Sequence, residues 1–209
     1  MKTSKRRFDQ AILLIVFVLL GSPVFAQSFK TEIEKHREDY RQAFLNETRS
    51  PLKQQDLINL SFYEPDSNYV VTATIKMLTD EQPFLMPTHS GKPQQYIRYA
   101  HVKFNLNGKP QQMTIYKSIA LAQLANFKDY LFLPFTDATN GKETYSGGRY
   151  IDLNAKDINT DVIKIDFNKA YNPYCAYSDG YQCPKPPTEN TIKQDVNAGE
   201  KAFSGAKKD

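Results

Sequence analysis

This sequence predicts a mainly β fold: an antiparallel β-barrel or sandwich of about seven or eight strands, with an N-terminal and a C-terminal helix. Three observations predict it. From Leu57 onward, segments of alternating apolar and polar residues recur, and a period of two is the mark of a half-buried strand. The connections short enough to judge are hairpin-like, with Asn107-Gly108 a strong hairpin turn. The chain also has 13 Tyr and 13 Phe but no Trp, and aromatic residues are favoured on the pleated, half-buried surface of a sheet.

Taken in order, residues 1–26 carry a basic start (Lys2, Lys5, Arg6, Arg7), an apolar run from Ala11 to Leu20, a Gly21-Ser22-Pro23 break, and small residues before Gln27. That grammar predicts a cleaved secretory signal. The apolar run is roughly half of the about 20 residues that a membrane span needs, so no integral membrane segment is expected after cleavage. The expected location is periplasmic or secreted. Cleavage leaves 23 basic against 22 acidic residues over residues 27–209, a balance that gives no footprint for nucleic acid. Those 183 residues fit a single β-rich domain with a real core.

Ser28 to Phe44 reads as an amphipathic helix capped by Ser28, with Phe29, Ile33, Tyr40 and Phe44 on one stripe and His36 packed beside them. Strands follow at Tyr69 to Met77, Gln95 to Leu106, Gln111 to Tyr116, Leu131 to Phe135, Arg149 to Leu153 and Val162 to Phe167. Their even spacing favours a barrel over a sandwich. The last two strands read as a hairpin whose register sets Asp152 opposite Lys164 and Tyr150 opposite Asp166. Arg149 then points to the core face, where it needs a carboxylate or a ligand anion. Thr188 is positioned to cap a final helix from about Glu189 to Ala202, with Ile192, Val196 and Phe203 near one face.

The densest run of unusual residues is DFNKAYNPYCAY (Asp166 to Tyr177), followed by CPKPPTEN and AGEK. With LFLPFTDATNGKETYSGGRYIDL (Leu131 to Leu153) and looser stretches upstream, it resembles the bacterial domain-of-unknown-function 1684 family. That resemblance implies no activity, substrate or catalytic residue. His89 departs from the small polar residue expected in the family's turn at that point.

Chemistry can be tested class by class. No G-x-S-x-G elbow accompanies the three histidines, so a serine-hydrolase triad is not indicated. Cys175 and Cys183 lack the further ligands of a zinc site, and Asp157 to Asp161 imitates a calcium loop but lacks its glycine and its bidentate glutamate. No cofactor or metal is expected. As the only two cysteines, bound for an oxidising compartment and separated by a turn at Asp179-Gly180, Cys175 and Cys183 are expected to form a disulfide. What remains is a cluster of candidate ligand-binding residues in two segments: Tyr145 and Arg149 in the first; Asp166, Asn168, Asn172, Tyr174, Tyr177 and Glu189 in the second. Such a set suits a small-molecule or glycan site at the barrel mouth, and equally suits the pinning of a long loop. Two functions are therefore expected as alternatives. One is a non-enzymatic binding or scaffold protein. The other is an envelope hydrolase or lyase that uses Asp166 and Glu189 as a carboxylate pair, with Arg149 as anion clamp.

Overall fold

The computed structural model describes residues 27–209; the expected signal segment, residues 1–26, lies outside them. Helix α1 covers residues 27–46. It docks through Ile33, Arg37, Tyr40 and Phe44, spaced to fall on one face, with Ile33 and Phe44 buried. Arg37 is buried on the same face because it donates to the Tyr63 carbonyl at 2.6 Å and to Glu34 at 3.0 Å. Ser28 lies inside the helix and does not cap it, since the helical turn already includes Gln27.

Eight strands follow: β1 (Val70–Met77), β2 (Phe84–Met86), β3 (Gln94–Leu106), β4 (Lys109–Ser118), β5 (Tyr130–Asp137), β6 (Arg149–Asn154), β7 (Val162–Asp166) and β8 (Thr191–Ile192). They form one sheet in the order β6-β5-β4-β3-β1-β7, with β2 on β3 and β8 on β5. Every pairing is antiparallel except β5 with β8. Alternation does what the sequence promised. Val71, Ala73 and Ile75 of β1, Leu131, Leu133 and Phe135 of β5, and Ile151 and Leu153 of β6 all enter one core. Met77, at the end of the β1 alternation, is exposed.

The expected β6–β7 hairpin does not form. Instead β6 pairs with β5, Ile151 facing Leu133, and β7 pairs with β1, Ile165 facing Val71. Asp152 is therefore opposite Phe132, not Lys164. Parity was readable from the alternation, but parity says which face a residue takes and nothing about which strand lies beside it. With β6 and β7 as its two edges, the sheet is a curled half-barrel. The chain leaving β7 covers the β6 edge: Tyr171 exchanges both backbone hydrogen bonds with Tyr150, at 2.9 and 3.0 Å. Tyr171 thus takes the place that the expected register reserved for Asp166.

The C-terminal helix is also absent. Thr188–Asn190 makes one 3₁₀ turn, Thr191–Ile192 adds the parallel strand β8, and the chain then runs without helix along the concave face. Ile192, Val196 and Ala198 are buried there as expected of apolar residues, but from a non-helical backbone. Polar side chains hold that backbone, Asn190 and Arg149 foremost. Asn190 accepts from the Thr114 amide at 2.7 Å and donates to the carbonyls of Thr114 and Pro134, both at 2.8 Å. Its amide group bridges β4 to β5 as a peptide unit would. Arg149 supplies the second hold, described below. Gly199 (φ +77°) completes the path: a Cβ there would lie 2.6 Å from the Ala170 carbonyl oxygen, so neither its backbone nor its surroundings admit a side chain.

Candidate functional site

The concave face, where a barrel-mouth site was expected, is filled by the C-terminal segment. An aromatic recess lies instead on the outer face of the sheet's β6 edge. Tyr150 and Asp152 alternate with the core residues Ile151 and Leu153, so both turn outward. They form the floor of a recess of about 500 Å³ walled by His36 and Tyr40 of α1 and by Lys169, Tyr171, Tyr174 and Tyr181. Ala43, Pro173, Gln182, Cys183 and Pro184 complete the rim.

The polar centre is Asp152. Its Oδ1 accepts from the hydroxyls of Tyr130 at 2.8 Å and Tyr171 at 2.7 Å. Its Oδ2 accepts no hydrogen bond from any described residue. Water reaches Asp152, yet protein crowds it on most sides. Burial accordingly raises its pKa, against the opposing pull of the Tyr171 and Tyr130 hydroxyls. Tyr130 and Tyr171 are pushed well above the ordinary phenol range, first by burial and then by the Asp152 charge, and stay protonated donors. Burial, followed by the nearby Lys169 charge, lowers the pKa of His36, which favours a neutral ring. Lys169 itself pairs with Glu32 at 3.3 Å.

The walls are fastened. The Tyr174 hydroxyl donates to Glu47 and the Tyr181 hydroxyl donates to the Arg49 carbonyl at 2.6 Å. Their rings meet edge to face with centroids 5.2 Å apart. Behind them, Cys175 and Cys183 lie at disulfide distance, Cα to Cα 6.2 Å, within the normal span for that bridge. Tyr145 touches the same loop, its hydroxyl donating to the Cys175 carbonyl at 3.4 Å.

A second, sealed cluster lies behind the recess. Glu200 is fully buried; it accepts from Tyr40 at 3.0 Å, Tyr177 at 2.6 Å and the Asn172 amide at 2.8 Å. Burial raises its pKa to about 7 despite those donors. Next to it, Arg149 is wholly enclosed. It donates to Asp137 Oδ2 at 2.9 Å and to the carbonyls of Val196, Ala198 and Glu200. The inward arginine has its carboxylate inside the protein. Just before it, Gly148 (φ +86°) lets the chain pass 2.6 Å, measured from a would-be Cβ, from the Phe135 carbonyl oxygen.

Of the residues expected at a site, Tyr174 alone lines the recess. Tyr177 and Asn172 belong to the Glu200 cluster. Asn168 exchanges two hydrogen bonds of 2.9 Å with the Asp66 backbone, and Asp166 accepts from the Asn168 backbone and side-chain amides, also at 2.9 Å. Glu189 accepts from Tyr116 at 2.7 Å and pairs with Arg98 at 3.2 Å. Asp166 and Glu189 share no partner, so the expected carboxylate pair is not assembled. His36, read as a packed residue, is exposed to the recess. Sequence reasoning missed Asp152, His36, Tyr40, Tyr171 and Tyr181. The outward parity of Asp152 and the tyrosine density after Asp166 were available signals, but the docking of α1 against them was not. Among the described residues, no group of three or more His, Cys, Asp or Glu side chains could hold a metal ion, and no helix is long and apolar enough to cross a membrane.

Fold and recess define a class: an antiparallel half-barrel with a cysteine-pinned loop closing an aromatic recess on its edge strand. The model of the family described as Protein of unknown function (DUF1684) matches residues 55–201, and the chain belongs to that family. It is similar to the solution NMR structure of an uncharacterized protein of Haloarcula marismortui. The two are 30% identical with a TM-score of 0.65, over 84% of this chain and 95% of that one. No curated protein is significantly similar to the chain.

Proposed function

We propose that this is a non-enzymatic binding protein of the periplasm or the secreted fraction, which takes a small molecule or a sugar unit in the recess over β6. One observation carries the reading: Asp152 presents an unused carboxylate oxygen at the floor of a tyrosine-walled recess, while its other oxygen is fixed by two tyrosine hydroxyls. A mostly apolar wall with one oriented polar group is how a ligand's body is held and its direction set. The matching ligand has a flat or CH-rich body and a hydroxyl or amine that donates to Asp152. The secretory signal expected at residues 1–26 and the paired cysteines support an oxidising, extracytoplasmic location. The hydrolase or lyase alternative has no comparable support, because Asp166, Glu189 and Arg149 are each engaged by separate structural partners.

A thermal-shift series with sugars and small aromatic amines tests this. A ligand present at about 100 times its dissociation constant adds about 2.7 kcal/mol of stability. Asp152→Asn keeps a neutral acceptor for both tyrosines, so it is expected to lower the unliganded melting temperature modestly while leaving the fold intact, and to remove the shift. A ligand that stabilises the Asp152→Asn variant as well as the parent overturns the assignment.

A further inference from the structure

A second recess, of about 410 Å³, adjoins the first and shares Tyr174, Tyr181 and Gln182 with it; Glu47, Arg49, Gln94 and Gly180 complete its lining. Its character is different. Where the first recess is aromatic and holds Asp152, this one is polar and holds one cation, Arg49, beside one carboxylate, Glu47. Arg49 follows α1, is exposed, and its guanidinium makes no hydrogen bond or ion pair with any described residue. Glu47 beside it is already engaged by the Tyr174 hydroxyl, and Gln94 donates to the Gln182 carbonyl at 3.0 Å. The two rings at the junction are tethered by their hydroxyls to the end of α1. The ridge between the recesses is thus pre-organised before anything binds.

Resting on the binding reading above, we infer that the two recesses are successive subsites of one groove, and that its ligand is an acidic oligosaccharide. Chain form follows from two adjoining recesses crossed by a fixed aromatic ridge. A sugar face stacks on tyrosine rings through its CH groups, while its hydroxyls donate to the free Asp152 oxygen in the first subsite. A carboxylate on the next residues meets Arg49, whose fork of donors matches a carboxylate and has no internal partner to give up. A neutral chain would leave that guanidinium unused. An acidic peptide satisfies Arg49 as well, but it offers fewer hydroxyl donors to Asp152 and fewer CH faces to the ridge.

Titration calorimetry of the purified protein with tetragalacturonate, galacturonate and the neutral tetramer maltotetraose decides it. Tetragalacturonate is expected to bind about tenfold or more tighter than either other probe. Arg49→Ala should bring its affinity down to that of maltotetraose, and Asp152→Asn should weaken all three sugars. Equal affinity for galacturonate and tetragalacturonate, unchanged by Arg49→Ala, overturns the groove and leaves the single recess standing. Binding of an acidic tetrapeptide with no binding of any sugar overturns the glycan class. Binding of tetragalacturonate that is lost in Arg49→Ala but untouched in Asp152→Asn supports the second subsite while removing Asp152 from the first.

Discussion

Two carboxylates among the described residues receive a pair of tyrosine hydroxyls, and they differ in what is done with the rest of the group. Glu200 is enclosed: Tyr40, Tyr177 and the Asn172 amide use both its oxygens. Asp152 has one oxygen bound by Tyr130 and Tyr171 and the other turned to an open recess. A polar group that is fully paired inside the protein fixes structure, because any partner lost is a buried orphan. A polar group that is oriented but half unused can offer recognition. Burial raises both pKa values, so electrostatics alone does not separate them; accessibility and spare hydrogen-bonding capacity do.

The sealed side should be the fragile one, and its most exacting member is Arg149. Replacing it with Met leaves Asp137 Oδ2 and three backbone carbonyls of the C-terminal segment without the arginine donor. Removing one partner of a buried ion pair costs about 3 to 5 kcal/mol, a large part of the stability of an ordinary domain. Urea unfolding should show that loss, and Arg49→Ala on the open side should show almost none. Equal losses at the two arginines would erase the distinction.

Glu200 gives the next effect, and its sign is fixed. Its folded pKa of about 7 lies above its ordinary value of 4.5, so between those values the folded protein holds a proton that the unfolded chain has released. Stability from this group is therefore complete below about pH 4.5 and falls as pH rises toward about 7, by roughly 3 kcal/mol in all. Asp152 is shifted in the same direction and His36 in the opposite one. Glu200→Gln should flatten the fall in unfolding free energy across this window. A slope indifferent to Glu200→Gln would place the linkage elsewhere.

The Cys175–Cys183 pair stands between the two regions, both residues buried and Cys183 also on the recess rim. Closing so short a loop contributes about 2 to 3 kcal/mol on the chain-entropy account. The Cys175→Ser, Cys183→Ser double variant should lose that amount, and it should weaken recess ligands further by freeing Tyr174 and Tyr181. Intact mass after alkylation of unreduced protein provides the check, since two reactive thiols before reduction would deny the bridge.

How much of this was legible follows from what each signal encodes. Six strands and α1 were readable because alternation and the 3.6-residue stripe are local properties, and the burial of Ile192 and Val196 was readable for the same reason. Their helix was not. The spacing of Ile192, Val196 and Phe203 suits a helix, but the backbone between them is claimed by Arg149 and Asp137, partners about fifty residues away. Gly199 falls inside the helix expected from about Glu189 to Ala202, and is instead a positive-φ position under the Ala170 carbonyl. Arg149 was legible as an inward charge needing a partner; that the partner is Asp137 depended on the register of β5 against β6. The recess was least legible. It exists because α1 docks over the β6 edge, and no local pattern in α1 says which strand lies beneath it.

The smallest expected effect is the sharpest test of that topology. A β6–β7 hairpin would set Asp152 beside Lys164, and their charges would couple. In the half-barrel the two residues lie on opposite edge strands of the sheet, and Asp152 is coupled to Tyr171 instead. Double-mutant cycles separate the cases. Asp152→Asn with Lys164→Ala should be additive to within about 0.3 to 0.5 kcal/mol, the behaviour of sites without a shared partner. Asp152→Ala with Tyr171→Phe should not be additive, because the hydrogen bond between them is a charged one, of the kind that contributes about 1.5 to 3 kcal/mol. A measurable coupling in the first cycle, with none in the second, would close the barrel through β6 and β7. It would take Asp152 out of the recess and return it to the surface ion pair that its place in the sequence first suggested.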